Sequence, residues 1–201
     1  MQSRTIFNVH IACILFLGAT YAALRALGPT TPGYAAFDLD GEGNIPTWFS
    51  AIGLFACAWL MLHLRQRAWG LSTLALLLVA AAIDEVAMVH ERVAAWLLER
   101  RGAMPPFAIW VLGGALAAVL GGGCVPTLRR LPKRPRERLV VSGAVFALSA
   151  IGVESIGQAW ARRHGWNDAT YTLLVLIEEC GEMLGAALCL RALLAWRAAP
   201  R

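Results

Sequence analysis

Seven carboxylates stand inside long apolar runs of this 201-residue chain: Asp84, Glu85 and Glu91 in one, Glu154 in another, and Glu178, Glu179 and Glu182 in a third. A charged side chain at the centre of a bilayer costs about 2.5 to 3.5 kcal/mol on insertion scales. Seven such groups must therefore be protonated, paired or bound to cations. With His90 as the one imidazole beside them, they form a hard, oxygen-rich donor set. Such donors suit Fe, Mn or Ca, and paired metals bridged by carboxylates become feasible when this many acids meet. The spacing assigns Asp84, Glu91, Glu154, Glu178 and Glu182 as ligands of a divalent metal, with His90 as a further ligand or general acid/base. Glu85 and Glu179 are expected to exchange protons or hydrogen bonds with that ligand set.

The elements that must position these acids are membrane helices. The chain is 58% hydrophobic and 15% charged, with mean hydropathy +0.59, which places it among polytopic membrane proteins. Six apolar stretches are long enough to cross a hydrocarbon core about 30 Å thick at about 1.5 Å per residue. They run over about 5–27, 47–64, 69–98, 106–125, 139–160 and 170–196. The expected fold is an all-α bundle of six transmembrane helices forming a single domain over 1–201. Arg4 precedes an apolar run that lacks a small-residue cleavage site, so the first stretch is expected to stay as an uncleaved span.

Orientation follows from the basic residues, because cytoplasmic connections are enriched in Lys and Arg. Arg129, Arg130, Lys133, Arg134, Arg136 and Arg138 fall between the fourth and fifth stretches. This predicts both termini inside, in a multi-pass protein of the inner (cytoplasmic) membrane. The basic segment is interrupted by Pro132 and Pro135 and contains no aromatic residue to stack a base, so anionic membrane lipid is the expected partner and nucleic acid is not. A homo-oligomer or a larger membrane complex is compatible with the same pattern. Trp48, Trp69, Trp96, Trp160, Trp166 and Trp196 sit near expected helix ends, as interfacial aromatics do.

Under that topology the acids share one slab between the outer surface and the midplane. Counting back from Trp96 and Trp160, Glu91 and Glu154 lie roughly 8 to 9 Å below the outer interface and Asp84 about 18 Å, while Glu178 and Glu182 lie at about 12 and 18 Å on the last helix. Glu178, Glu179 and Glu182 fall within an arc of about 100°, so one helix face presents all three. Asp84, Met88 and Glu91 stack at i, i+4 and i+7 on a continuous third helix, with Glu85 to one side and His90 to the other. The di-iron bundle pattern of Glu-x-x-His is not met, since Ala87 precedes His90 by three and Glu182 closes the last-helix motif.

Between the first two spans, Asp38-Leu39-Asp40-Gly41-Glu42-Gly43-Asn44-Ile45 resembles the first eight positions of an EF-hand calcium loop. The resemblance implies Asp38, Asp40 and Glu42 as calcium ligands, with Asn44 as a further loop donor. It ends at Phe49, which stands where the bidentate glutamate belongs, and a turn capping the next helix accounts for the same residues. His10 and His63 near helix ends read as interfacial or hydrogen-bonded, and the five cysteines as small packed hydrophobes. Ile83 to Met88 aligns with Ile177 to Glu182, each on the last helix of a three-helix half, an arrangement of inverted-repeat transporters. The leading expectation is a metal-dependent membrane enzyme acting on a lipid or apolar substrate. Divalent-cation or proton-coupled transport uses the same residues, and an accessory subunit of a membrane complex is the third option.

Overall fold

The computed structural model describes residues 2–68, 70–89, 92, 93, 96, 99 and 122–200, and over these the chain is helical with no strand. α1 spans Gln2–Leu27, followed by the single turn α2 at Tyr34–Phe37. α3 spans Ile45–Leu64 and α4 spans Leu71–Ala87. After helical residues 122–130, one long helix covers Lys133–His164. It divides into α5 at Lys133–Ala147, a π-helical segment at Leu148–Val153, and α6 at Glu154–His164. The chain closes with α7 at Ala169–Arg197.

Side-chain caps mark the starts of α3 and α7. Asn44 caps α3 by accepting the Thr47 amide at 3.2 Å, and Pro46 fits the first turn because no backbone N–H is needed there. Asp168 caps α7, accepting the amides of Thr170 at 2.9 Å and Tyr171 at 3.3 Å. At the far end of α7, Arg67 donates to the carbonyl of Trp196 at 2.8 Å and of Ala199 at 3.2 Å, satisfying acceptors that the helix leaves open. Gly70 enters α4 at φ +89, and a side chain there would collide with Thr127.

Among the described residues, three helices are long and apolar enough to cross a membrane: Ser3–Leu27, Ile45–Leu64 and Lys133–His164. On α3, Trp48, Ile52, Phe55 and Trp59 form an exposed apolar stripe, while Ser50, Leu54, Cys57 and Met61 are buried on the opposite side. α7 has 29 residues, but Glu178, Glu179 and Glu182 interrupt its apolar run. The expected continuous third span, 69–98, is broken: α4 ends at Ala87, and Met88 adopts a left-handed conformation at φ 53. A left-handed turn resets the helical phase after Asp84, and Glu91, expected to stack with Asp84 and Met88, lies outside the described residues. Of the expected fourth span, 106–125, only 122–125 are described.

α7 is the hub of the bundle, with α1, α3, α5, the π segment and α6 packed on it. Toward the basic segment, Leu60, Met61, Leu64, Leu71, Leu190, Leu193 and Trp196 make an apolar core. At the other end, Leu17, Tyr21, Leu39, Tyr171, Val175 and Met183 make a second core in which the polar groups concentrate. The acids lie on the central helix, so their surroundings are set by every element around it.

Candidate functional site

Glu178, Glu179 and Glu182 each offer one carboxylate oxygen within 4.8 Å of the others, a grouping that can hold a cation. A Ca²⁺–oxygen distance of about 2.3 to 2.6 Å puts ligands on opposite sides of the ion about 4.6 to 5.2 Å apart, so the triad matches one cation without rearranging its backbone. The i, i+1, i+4 spacing on α7 produces this directly, since residues four apart lie above one another and the intervening glutamate turns about 100° aside.

Four carboxylates from three other elements act on the triad. Glu154, the first residue of α6, acts electrostatically on Glu178 and Glu182. Glu85, in the last turn of α4, acts on Glu179 and Glu182. From the connection between α2 and α3, Asp40 acts on Glu178, and Glu42 acts on both Glu179 and Glu182. Among the described residues, every charged group acting on the triad is itself acidic. Two arginines, Arg25 and Arg191, are engaged elsewhere. Arg25 donates to Tyr34 Oη at 2.7 Å and to the Trp166 carbonyl at 2.5 Å, and Arg191 lies 4.6 Å from the centre of the Phe7 ring.

Two backbone features bring Glu154 to the triad. Gly181 and Gly185 form a small-x-x-x-small pair on the face of α7 that meets the π segment and α5. A Cβ at Gly181 would strike the Ser149 side chain, and one at Gly185 would lie 2.8 Å from the backbone nitrogen of Phe146. The helices therefore touch backbone to backbone. The π segment ends at Val153, immediately before Glu154. Its wider turn changes the phase of the helix, so the direction of Glu154 departs from the one that regular α-helical counting from Leu139 gives. The glycine pair was open to sequence reading; nothing in Leu148–Val153 announces a π turn.

On α4 the carboxylate acting on the triad is Glu85, whereas Asp84, also half-buried, accepts the Met88 amide through its backbone carbonyl at 2.8 Å. Glu179, expected beside the ligands, is a full member of the triad. His90 and Glu91 lie outside the described residues. His10 and His63 each place Nδ1 against the carbonyl four residues back, Ile6 at 2.9 Å and Trp59 at 2.8 Å.

The residues of the calcium-like loop point in different directions. Asp38 Oδ1 accepts the amide of Asp40 at 3.2 Å. Burial pushes the Asp38 carboxyl above the usual aspartate range, opposed by that amide bond and by the charge of Arg25. Asn44 spends its amide on the carbonyls of Asp38 at 2.5 Å and Gly41 at 2.7 Å while its oxygen caps α3. Asp40 Oδ1 accepts the hydroxyl of Tyr171, at 2.6 Å, from the first turn of α7. Glu42 accepts the Thr47 hydroxyl at 3.4 Å. Sequence reading separated this loop from the helix acids because more than 130 positions part Asp40 from Tyr171 in the chain.

The profile of a family described as a domain of unknown function, DUF8692, matches residues 9–196, and the chain belongs to that family. Comparison with curated proteins and with solved structures finds no match.

Proposed function

We propose that this family member is a six-span protein of the inner membrane, both termini cytoplasmic, whose acid end holds a divalent cation for metal-dependent chemistry on a lipid or other apolar substrate. The observation that carries this reading is the convergence of acids from several elements on the α7 triad, with no basic residue among its electrostatic partners in the described residues. In a largely apolar bundle, such an arrangement stays ionised only with a cation to balance it. Glu178, Glu182 and Glu154 would be ligands. Glu179 and Glu85 would ligate or take up protons, and Asp84, His90 and Glu91 are the remaining candidates on the third span. Fe, Mn and Ca all suit these donors. The cation would polarise a substrate oxygen or lower the pKa of a bound water.

Access separates enzyme from transporter. Beyond the triad toward the basic segment, α7 is packed with Ala186, Ala187, Cys189, Leu190 and Leu193, and Cys57 spends its thiol on the Ala186 carbonyl at 3.4 Å. That closed apolar layer favours chemistry reached from one side. One observation favours cation or proton-coupled transport instead: α4 breaks at Met88 beside its acids, as discontinuous transporter helices do at ion sites. Single cysteines at Ala75, Ala187 and Ala192, in a protein lacking its native five, distinguish the two. The enzyme reading expects no labelling by a membrane-impermeant thiol reagent from the cytoplasmic side. Labelling that changes with added Mn²⁺ or Ca²⁺ would reverse the ranking.

A further inference from the structure

We infer that the groove between the start of α5 and the end of α7 binds one anionic phospholipid, its headgroup phosphate held by Arg134 and Arg138 and its acyl chains lying along the exposed face of α5. The inference rests on the membrane placement proposed above and is independent of the cation site. The groove has a volume of about 450 Å³ and is lined by Lys133, Arg134 and Arg138 of α5 and by Ala192, Ala195 and Trp196 of α7. The three basic residues are exposed, whereas Ala192 and Trp196 are buried, so charged walls stand over an apolar floor. Lys133 is committed in part to Glu137, at 4.0 Å one turn along the same helix. The side chains of Arg134 and Arg138 make no ion pair or hydrogen bond among the described residues. The carbonyls that end α7 do not draw on them, because those of Trp196, Arg197 and Ala199 accept from Arg67.

Two features of α5 suit a phosphate there. Its first turn holds Lys133, Arg134 and Arg136 with no acidic residue, and Pro132 supplies no side-chain cap. Cations at the positive end of a helix dipole are unfavourable, and an anion bound beside them offsets that repulsion. Arginine fits this ligand because its planar fork meets two phosphate oxygens at once. The second feature is the continuation of the same face. At about 100° per residue, Arg134, Arg138, Val141 and Leu148 fall within an arc of about 80°. Val141 and Leu148 are 56% and 69% exposed. One stripe therefore passes from basic to apolar along a helix that is long and apolar enough to cross a membrane. A phospholipid has its parts in the same order, and basic pockets between cytoplasmic helix ends match anionic headgroups. Free phosphate would use the arginines and leave the apolar lane without a role.

Native mass spectrometry tests this on the full-length protein, released from detergent micelles that hold equal amounts of phosphatidylglycerol and phosphatidylcholine with the same acyl chains. The wild type should retain one phosphatidylglycerol in preference to phosphatidylcholine. In Arg134→Gln/Arg138→Gln that preference should fall at least about tenfold, the scale of removing two basic residues from an anionic lipid surface. Both positions are exposed and Arg134 opposes the helix dipole, so this variant should melt no lower than the wild type without lipid. Arg65→Gln/Arg129→Gln removes the same charge outside the groove and should keep the preference within about twofold of the wild type, because distant surface charges are screened. No preference in the wild type, or an equal loss in the two double variants, would overturn the site. Displacement of the retained lipid by millimolar inorganic phosphate would overturn it as well, since the apolar lane would then contribute nothing. Wild-type protein recovered in the soluble fraction without detergent would instead remove the membrane placement on which the inference rests.

Discussion

The two ends of this bundle are built on opposite principles, although one helix, α7, runs through both. Toward the basic segment, α7 contributes Leu190, Leu193 and Trp196 to a close-packed apolar core closed by Arg67 on its terminal carbonyls. At the acid end the same helix presents Glu178, Glu179 and Glu182 to further acids. The first end gains its stability from burial. The second concentrates like charges, which costs stability unless something neutralises them. The contrast is why the proposed site is placed at the acid end, since a cluster of like charges on a central helix works against stability.

If that division is right, damage to the apolar end should affect stability and spare binding. Leu193 is fully buried, and Leu193→Ala should destabilise the protein by about 2 to 5 kcal/mol through the cavity it leaves. Thermal unfolding in detergent would measure it, and Mn²⁺ affinity below the melting range should stay at the wild-type value. A parallel loss of affinity would show that the two ends are not independent.

At the acid end the sign should invert. Glu179→Gln keeps the shape of a protonated Glu179 and removes the charge that an ionised one adds to the triad, so the metal-free protein should melt higher at alkaline pH, where the wild-type acids ionise with no cation to balance them. A gain on the order of 1 to 4 kcal/mol corresponds to one like-charge contact at about 4 Å in an intermediate to high dielectric. Added Mn²⁺ or Ca²⁺ should then raise the melting temperature less than it does for the wild type. A lower metal-free melting temperature would mean that Glu179 is a structural group.

The joint between α7 and the π segment ties Glu154 to the triad, and its two glycines should fail differently. Gly185→Ala meets the backbone of Phe146 and should cost about 1 to 3 kcal/mol, since no side-chain change relieves it. Gly181→Ala meets the side chain of Ser149, so Ser149→Gly should restore most of what it loses. Paired melting curves for the single and double variants would measure that difference.

The smallest effect is expected at the loop preceding α7. Trp160 Nε1 donates to Asp168 at 2.6 Å, and this bond, with the amides of Tyr171 and Thr170, lowers the Asp168 pKa. A lowered carboxylate pKa stabilises the folded state in full above the unfolded value of about 3.9, and the contribution disappears as pH falls through the lower folded value. Asp168→Ala should therefore lower the melting temperature slightly at neutral pH, and the gap to wild type should close in strong acid. A gap independent of pH would assign the effect to helix propensity alone.

Sequence reading went furthest where chemistry is local. The apolar runs at 5–27 and 47–64 lie within α1 and α3, and 139–160 and 170–196 fall inside the helices Lys133–His164 and Ala169–Arg197. The shared face of Glu178, Glu179 and Glu182 follows from helical spacing. It went least far where the backbone leaves the ideal helix. The left-handed Met88 and the π turn at Leu148–Val153 both reset the phase on which angular counting depends, and neither residue type signals it. Tertiary proximity was hidden as well: nothing in the spacing of the calcium-like loop announced that the Tyr171 hydroxyl donates to Asp40.

The central claim is that the acid end binds a cation, and metal analysis of detergent-purified wild-type protein tests it most directly. The account predicts at least one divalent metal retained per chain after desalting, lost in Glu178→Ala/Glu182→Ala and kept in Leu193→Ala. Metal-free wild-type protein that takes up neither Mn²⁺ nor Ca²⁺ at millimolar concentration would contradict it.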